Sequence, residues 1–193
     1  MDDNNNIIYG VNFASADYLG LAKNDFAREA AIEAATNFGV NSAGSPLAFG
    51  ATKYFNLWLD FRYFMQLKDE LAEFWNCKSL LIFSAGWLAG FGAIKGLIRE
   101  HDHIIMDRLS HNCLQEGSNA ATKNIHKFEH LNQEEMESKL KQVREKNPDD
   151  AILVVTEGLF SMDSDSPDLV AYQRICKEHK AFLLIDCAHD FGH

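Results

Sequence analysis

Acidic residues and histidines stand where short apolar runs of this sequence end. The run Ala181-Phe-Leu-Leu-Ile continues into Asp186 and His189, and an earlier run continues into Asp107 and His111. An acid at a strand end can keep a pyridine nitrogen protonated. A histidine can lie against an aromatic ring or hydrogen-bond its phenolic oxygen. The pattern suits a flat aromatic ligand; in the alternative, the acid only caps a turn and the histidine lies on the surface.

Two further apolar runs end in residues that could contact a ligand. Gly86 and Trp87 follow the run at 79–83, and Glu157 and Ser161 follow the run at 151–156. A helix that begins at a glycine offers backbone N–H groups to a phosphate, because the unpaired donors and the helix dipole both attract an anion. Strand–glycine–helix turns also occur in α/β proteins that bind no phosphate, so this signal alone leaves both interpretations open.

Alternating strands and helices must position these residues. The order predicts βαβ units and therefore an α/β fold, a mostly parallel sheet with helices on both faces. Strands are predicted at 79–83, 103–106, 125–128, 151–156 and 181–185, and helices at 24–38, 57–75, 87–99, 133–146 and 169–180, with another helix after His111. We expect the aromatic stripe of helix 57–75 to lie in the core, and strand 181–185 to be buried on both faces.

The carboxyl ends of parallel strands meet at one edge of a sheet. The four strand ends that carry Gly86 and Trp87, Asp107 and His111, Glu157 and Ser161, and Asp186 and His189 could therefore surround one ligand. Pyridoxal phosphate, a small phosphorylated aromatic cofactor, would use all of them at once. A metal site is an alternative, because histidine and aspartate are common metal ligands. Its candidate ligands would be His101, His103, Asp107, His189 and His193.

Composition excludes several classes of function. The formal net charge of -10 argues against general affinity for nucleic acid or anionic membranes, which needs a basic excess. The four cysteines form no paired pattern, so we expect a reduced, cytoplasmic protein without a disulfide framework. The first residues show no signal-peptide pattern, and no apolar run is long enough to span a bilayer.

Six ordered motifs resemble the α-oxoamine synthase family of pyridoxal-phosphate enzymes, which have the aspartate-aminotransferase-like (fold type I) architecture. The similarity runs from about Phe13 to the last residue. The motifs are Asp17-Tyr-Leu-Gly-Leu, Leu67-Lys-Asp-Glu-Leu-Ala-Glu-Phe74, Phe83-Ser-Ala-Gly-Trp87, Asp107-Arg-Leu-Ser-His111-Asn, Glu157-Gly-Leu-Phe-Ser-Met-Asp163 and Asp186-Cys-Ala-His189.

The resemblance implies pyridoxal 5'-phosphate as cofactor and a catalytic role for three residues. His111 matches the histidine that stacks on the pyridine ring, and Asp186 matches the acid paired with the ring nitrogen. His189 matches the histidine that hydrogen-bonds the O3′ oxygen of the ring.

Three further residues match cofactor-binding positions of the family. Gly86 and Trp87 match residues whose backbone contacts the cofactor near its phosphate, and Ser161 matches a serine that touches the cofactor. The implied reaction condenses an amino acid with an acyl-CoA thioester, with loss of carbon dioxide. Family members are usually homodimers, so we expect a second copy as partner.

The sequence also departs from the family pattern. Ala16, Pro46 and Gly90 replace an asparagine, an arginine and another asparagine that are common at these positions. The lysine that forms the Schiff base in the family is absent from residues 1–193, as is the C-terminal small domain. We therefore expect a fragment without activity of its own, with an entry segment at 1–15 and an incomplete large domain at 16–193. In the alternative, the chain is a non-catalytic partner subunit of a related complex.

Overall fold

The computed structural model describes residues 15–40 and 58–192 of the chain, apart from the side chains of 38 and 58–63. The chain divides into two compact units, residues 1–81 and residues 82–193. Residues 1–14 of the predicted entry segment and Pro46 lie outside the described residues, so the predicted boundary after residue 15 stays a prediction. No described helix is both long and apolar enough to cross a membrane.

The first unit is helical in its described part. A turn at Asp17 leads through a short 3-10 helix, Leu21–Lys23, into helix α1, Asp25–Phe38; helix α2 is Trp58–Phe74. The side chain of Asn24 caps α1 by accepting a hydrogen bond from the N–H of Ala27 (3.0 Å). Gly39 ends α1 with a φ of 83°, a conformation that glycine adopts without strain. Both predicted helices of this unit are confirmed.

The apolar stripe of α2 differs from its prediction. Leu67 and Phe74 are 46% and 71% exposed, although the sequence predicts them to be core residues. Phe64 and Leu71, on the same stripe, are partly buried. A helix buries its apolar face only where another layer covers it, and helical spacing alone does not show whether that layer is present.

The second unit contains a parallel four-stranded sheet in the order β2-β1-β3-β4. Each strand is followed by a helix that crosses to the next strand, apart from the last. The elements are α3 Gly86–Leu97, β1 His103–Asp107, α4 Asn112–Ala121, β2 Ile125–Phe128, α5 Gln133–Lys146, β3 Ile152–Glu157, α6 Leu169–Glu178 and β4 Phe182–Asp186.

Alternate residues of β3 enter two separate core clusters. Leu153 and Val155 pack in a cluster with Ile94 of α3 and Leu114 of α4. The intervening Ile152 and Val154 pack in a cluster with Leu140 of α5 and Ile175 of α6. Side chains of a strand alternate between its two faces, so this division places α3 and α4 on one face and α5 and α6 on the other. The predicted fold class is confirmed.

Two strand predictions are wrong. Residues 79–83 form no strand of the described sheet, and none of them makes a described backbone hydrogen bond to another strand. The closing strand β4 is only partly buried, and Phe182 is 69% exposed. β4 is an edge strand of the described sheet, with β3 as its hydrogen-bonded neighbour, so its side chains have protein on fewer sides than those of β1 or β3.

Candidate active site

A cavity of about 480 Å³ lies at the carboxyl edge of the sheet, between the ends of β3 and β4 and the first turns of α3 and α4. Its lining includes most of the residues that the sequence predicts for cofactor binding: Gly86, Trp87, His111, Asp186 and His189. Ser161 is exposed and does not line the cavity, and its predicted contact with the cofactor stays a prediction. His111 and Asp186 therefore face one space, as a shared ligand requires.

The start of α3 provides the backbone donors of this site. Ala85 is the N-cap residue, and its methyl group cannot accept a hydrogen bond from the first-turn N–H groups. A Cβ atom added to Gly86 would meet no described atom within 4 Å, so the backbone there borders open space. Trp87 stacks on Phe91, one turn further along the helix, with ring centroids 5.3 Å apart. Uncapped donors at the positive end of a helix can bind a phosphate.

Asp186 is the last residue of β4 and the acid of the site. Its Oδ1 accepts a hydrogen bond from the N–H of Ala188 (3.0 Å), and its side chain is only partly buried. Parallel pairing places Asp186 beside Glu157, the last residue of β3. His189 follows in the next turn and also lines the cavity. A partly exposed carboxylate at this edge can accept a hydrogen bond from a protonated ring nitrogen.

His111 is held at the start of α4 by its own helix. Its Nδ1 accepts a hydrogen bond from the N–H of Cys113 (3.2 Å) and lies 3.0 Å from the Cys113 Sγ atom. In a neutral imidazole one ring nitrogen accepts and the other carries the hydrogen, so the backbone donor assigns the hydrogen to Nε2. Gly90 on α3 packs against this point, since a Cβ there would lie 2.7 Å from the Cys113 Sγ.

Glu157 stands at a strand end that the sequence predicts to border a ligand, but it has no role among the six family-matched site residues. Its side chain is only 4% exposed and lines the cavity, and its Oε1 accepts a hydrogen bond from the N–H of His111 (2.6 Å). Burial is the largest of the effects that together raise the pKa of Glu157 to about 7; the hydrogen bond from His111 opposes the shift, and the nearby carboxylates of Asp186 and Asp107 add to it. The signal in the sequence is an acid that follows the fully apolar run 152–155 after a single residue, Thr156.

His130 connects the loops that follow three strands. It lies after β2, and its Nδ1 is 3.0 Å from Oδ1 of Asp107 at the end of β1. Its Nε2 is 3.1 Å from Oδ2 of Asp165, in the loop that follows β3. Burial lowers the pKa of His130, but the hydrogen bonds and charges of the two aspartates outweigh it, so the net pKa is raised. This bridge ties the loop that leads to His111 to the loop that contains Ser161.

The alternative metal site finds no support among the described residues. No group of three or more possible ligands is close enough there to hold a metal ion. His103 lies instead against His126 on the neighbouring strand, with their ring nitrogens 3.2 Å apart, and Asp107 is engaged by His130. His193 lies outside the described residues.

The described side chains and backbone donors fit pyridoxal phosphate chemically. The cavity combines uncapped helix donors for a phosphate, a carboxylate for a ring nitrogen and two histidines for the ring and its oxygen. Its volume lies in the range of small-molecule sites. A parallel α/β sheet with such a cavity at its carboxyl edge places the chain in the class of α/β proteins that bind a cofactor at the ends of their strands.

Comparison with known proteins gives the family. A sequence model of the family aminotransferase class I and II matches residues 9–192, so the chain belongs to this family. The 8-amino-7-oxononanoate synthase of Saccharophagus degradans is 36% identical over 180 residues, which are 93% of this chain and 42% of that protein. The enzyme of the same name from Salmonella paratyphi B is 37% identical and is matched over 44% of its length. The chain therefore spans less than half the length of these curated relatives.

Similar solved structures also support membership of a family of pyridoxal-phosphate enzymes. A serine palmitoyltransferase from S. paucimobilis, solved with bound PLP, is 26% identical with a TM-score of 0.78, and the match covers 89% of this chain and 40% of that one. The serine palmitoyltransferase of Sphingomonas wittichii matches with a TM-score of 0.79 at 26% identity. The resemblance to the α-oxoamine synthase family is thus confirmed, as is the partial fold-type I domain.

Proposed function

We propose that this chain forms the cofactor-binding part of a pyridoxal-phosphate-dependent acyltransferase of the α-oxoamine synthase type. The observation that carries the proposal is that His111, Asp186 and the uncapped start of α3 line one cavity. The relatives that are named as 8-amino-7-oxononanoate synthases and serine palmitoyltransferases support this reaction class.

Each group of the site has a distinct task in the proposal. The first-turn N–H groups at Gly86 and Trp87 bind the phosphate, and the carboxylate of Asp186 holds a proton on the ring nitrogen. His111 lies against the ring, and His189 binds the O3′ oxygen. Pyridoxal phosphate, when bound, supplies an electron sink that a protonated ring nitrogen strengthens. Ser161 is assigned a contact with the cofactor by family resemblance alone.

The proposed substrates are an amino acid and an acyl-CoA thioester, joined with release of carbon dioxide. The cofactor residues follow the family pattern more closely than the substrate positions Ala16 and Pro46 do. We therefore propose the reaction class without naming the amino acid or the acyl group. A homodimer in the cytoplasm is the proposed setting, and it agrees with four cysteines that are all free in the structure.

Cofactor binding by the purified chain tests the proposal. Pyridoxal 5'-phosphate reacts with any accessible lysine, so pyridoxamine 5'-phosphate, which has no aldehyde, is the better probe of the noncovalent site. We expect one molecule bound per chain in isothermal titration calorimetry. Asp186→Ala should weaken binding at least about 10-fold, because a charge-assisted hydrogen bond contributes roughly 1.5–3 kcal/mol.

Asp149→Ala is the matched control, since Asp149 is an exposed aspartate that does not line the cavity. Its affinity for pyridoxamine 5'-phosphate should equal that of the wild type. Absence of binding by the wild-type chain, or equal binding by the Asp186 variant, would contradict the proposal.

A further inference from the structure

Glu157 occupies an unusual position for an acid, because it is nearly inaccessible to solvent yet borders the cavity. Only 4% of the residue is exposed, and it is the last residue of β3, one of the two inner strands of the described sheet. Its Oε1 lies 2.6 Å from the backbone nitrogen of His111, which is 46 residues earlier in the sequence. This hydrogen bond joins the end of β3 to the loop between β1 and α4.

Glu157 accepts a hydrogen bond from the backbone N–H of His111, while the N–H of Cys113 donates a hydrogen bond to the His111 ring. His111 is the N-cap residue of α4, with an extended ψ of 149°. Its carbonyl accepts a hydrogen bond from the N–H of Gln115, but its own N–H takes no part in the hydrogen bonds of that helix. The carboxyl of Glu157 supplies the acceptor that its N–H would otherwise lack. With the backbone held by Glu157 and Nδ1 held by the N–H of Cys113, both ends of the side chain are fixed.

The neighbouring acid is suited to a different task. Asp186 pairs with Glu157 in the sheet register, but it is partly exposed and its Oδ1 receives the N–H of Ala188. Burial disfavours a charge on Glu157. The Glu157 carboxyl is kept from solvent and holds a distant segment of the backbone, whereas the hydrogen bond of Asp186 is local to its own turn. The two acids therefore divide support and cofactor binding between them.

We propose that Glu157 is a positioning residue, which orients the His111 imidazole toward the bound cofactor by accepting a hydrogen bond from the His111 backbone. This inference rests on the proposed function, since it concerns the same cavity. Glu157 itself makes no contact with the cofactor in this proposal, and its effect on binding passes through His111.

Two substitutions separate the acceptor from the charge. Glu157→Gln keeps an oxygen that can accept the His111 N–H, whereas Glu157→Ala removes it. We expect the dissociation constant for pyridoxamine 5'-phosphate to change less than about 3-fold in Glu157→Gln, and to rise about 10-fold in Glu157→Ala, as loss of one buried hydrogen bond predicts. The induced circular dichroism of the bound probe should weaken in Glu157→Ala alone, because it depends on ring orientation.

A double-mutant cycle with His111→Ala tests whether the effect passes through the imidazole. Glu157→Ala should weaken binding by less than about 2-fold when His111 is already alanine, because no ring remains to be oriented. Hydrogen exchange of the His111 amide in the unliganded chain, followed by NMR, should be faster in Glu157→Ala than in wild type or Glu157→Gln. If the alanine variant fails to fold, Glu157→Asp replaces it, because the shorter side chain also withdraws the acceptor.

The possible results are distinct. Equal affinities of wild type and Glu157→Ala, equal losses in the glutamine and alanine variants, or additive losses in the cycle would overturn the positioning role while leaving the proposed function intact. A wild-type chain that does not bind pyridoxamine 5'-phosphate overturns the proposed function, and the positioning role falls with it.

Discussion

The burial of Glu157 predicts that replacing it with glutamine makes folding stability respond differently to pH. Burial raises the pKa of Glu157 from 4.5 to about 7 in the folded chain, whereas the unfolded chain retains the ordinary value. Between these values the folded state binds more protons than the unfolded state, so wild-type stability falls as pH rises through this window. Glutamine cannot ionise, so Glu157→Gln lacks this loss.

The size of the effect follows from the pKa difference. One pKa unit corresponds to about 1.4 kcal/mol. Ionisation of Glu157 therefore lowers the free energy of unfolding of the wild type by roughly 1 kcal/mol at about pH 5.5 and by roughly 3 kcal/mol at about pH 8.5. The free energy of unfolding of Glu157→Gln minus that of the wild type should therefore increase by roughly 2 kcal/mol across this range. Any packing or hydrogen-bond cost of the amide that is independent of pH cancels in this change.

Urea unfolding followed by far-UV circular dichroism at several pH values measures the difference directly. Glu116→Gln is the matched control, because Glu116 is exposed on α4 and does not line the cavity. The free energy of unfolding of Glu116→Gln minus that of the wild type should not change with pH over the same range. A flat difference for Glu157→Gln as well, or one that decreases with pH, would refute the argument that the folded chain holds this carboxyl neutral.

Three further predictions concern stability and use the same urea measurement. His130→Gln should lower the free energy of unfolding by about 2 kcal/mol at about pH 6 and by less at about pH 8. The raised pKa of His130 stabilises the folded chain at pH values below the pKa of histidine in the unfolded chain, and this stabilisation is lost as pH rises through the pKa in the folded chain. A cost that does not change with pH would contradict this prediction. Gly117→Ala should lower the free energy of unfolding by about 1 kcal/mol, because the added Cβ would lie 3.0 Å from the backbone of Phe91. Gly96→Ala, where a Cβ would meet open space, should raise the free energy of unfolding by about 0.5–1 kcal/mol. Equal effects of the two substitutions would disprove the close approach of α3 and α4. Arg144→Lys should cost about 2 kcal/mol, because the guanidinium donates to several backbone carbonyls that one ammonium cannot reach together; an unchanged free energy of unfolding would exclude this role.

Helix boundaries were predictable because their causes are local. Asn24 and Asn132 accept hydrogen bonds from N–H groups three residues later, so the cap and the helix it begins are encoded within one turn. Strands β1 and β3 were predictable within a residue for a related reason, since short apolar runs bounded by turns mark buried parallel strands.

Strand pairing and burial at the sheet edge were less predictable, because they depend on neighbours distant in sequence. The run at 79–83 has strand-like composition, but a strand exists only where another backbone supplies its hydrogen bonds. Phe182 likewise has the composition of a core residue, yet it lies on an edge strand and is mostly exposed. The composition of a segment indicates its preference for strand structure or burial, but it does not show whether a neighbouring strand or layer is present to pair with it or cover it.

The role of Glu157 illustrates the same limit at the candidate site. Its position after an apolar run is visible in the sequence, but its contact with His111 depends on how the loop after β1 folds back over the end of β3. The register then places Asp186 beside it, so two acids of similar chemistry meet at one edge. Burial distinguishes them: Glu157 is nearly inaccessible to solvent, which disfavours its ionisation, whereas Asp186 is partly exposed. Asp186 lines the cavity with a partly exposed side chain, so it is the acid whose oxygens can accept a hydrogen bond from a ring nitrogen bound there.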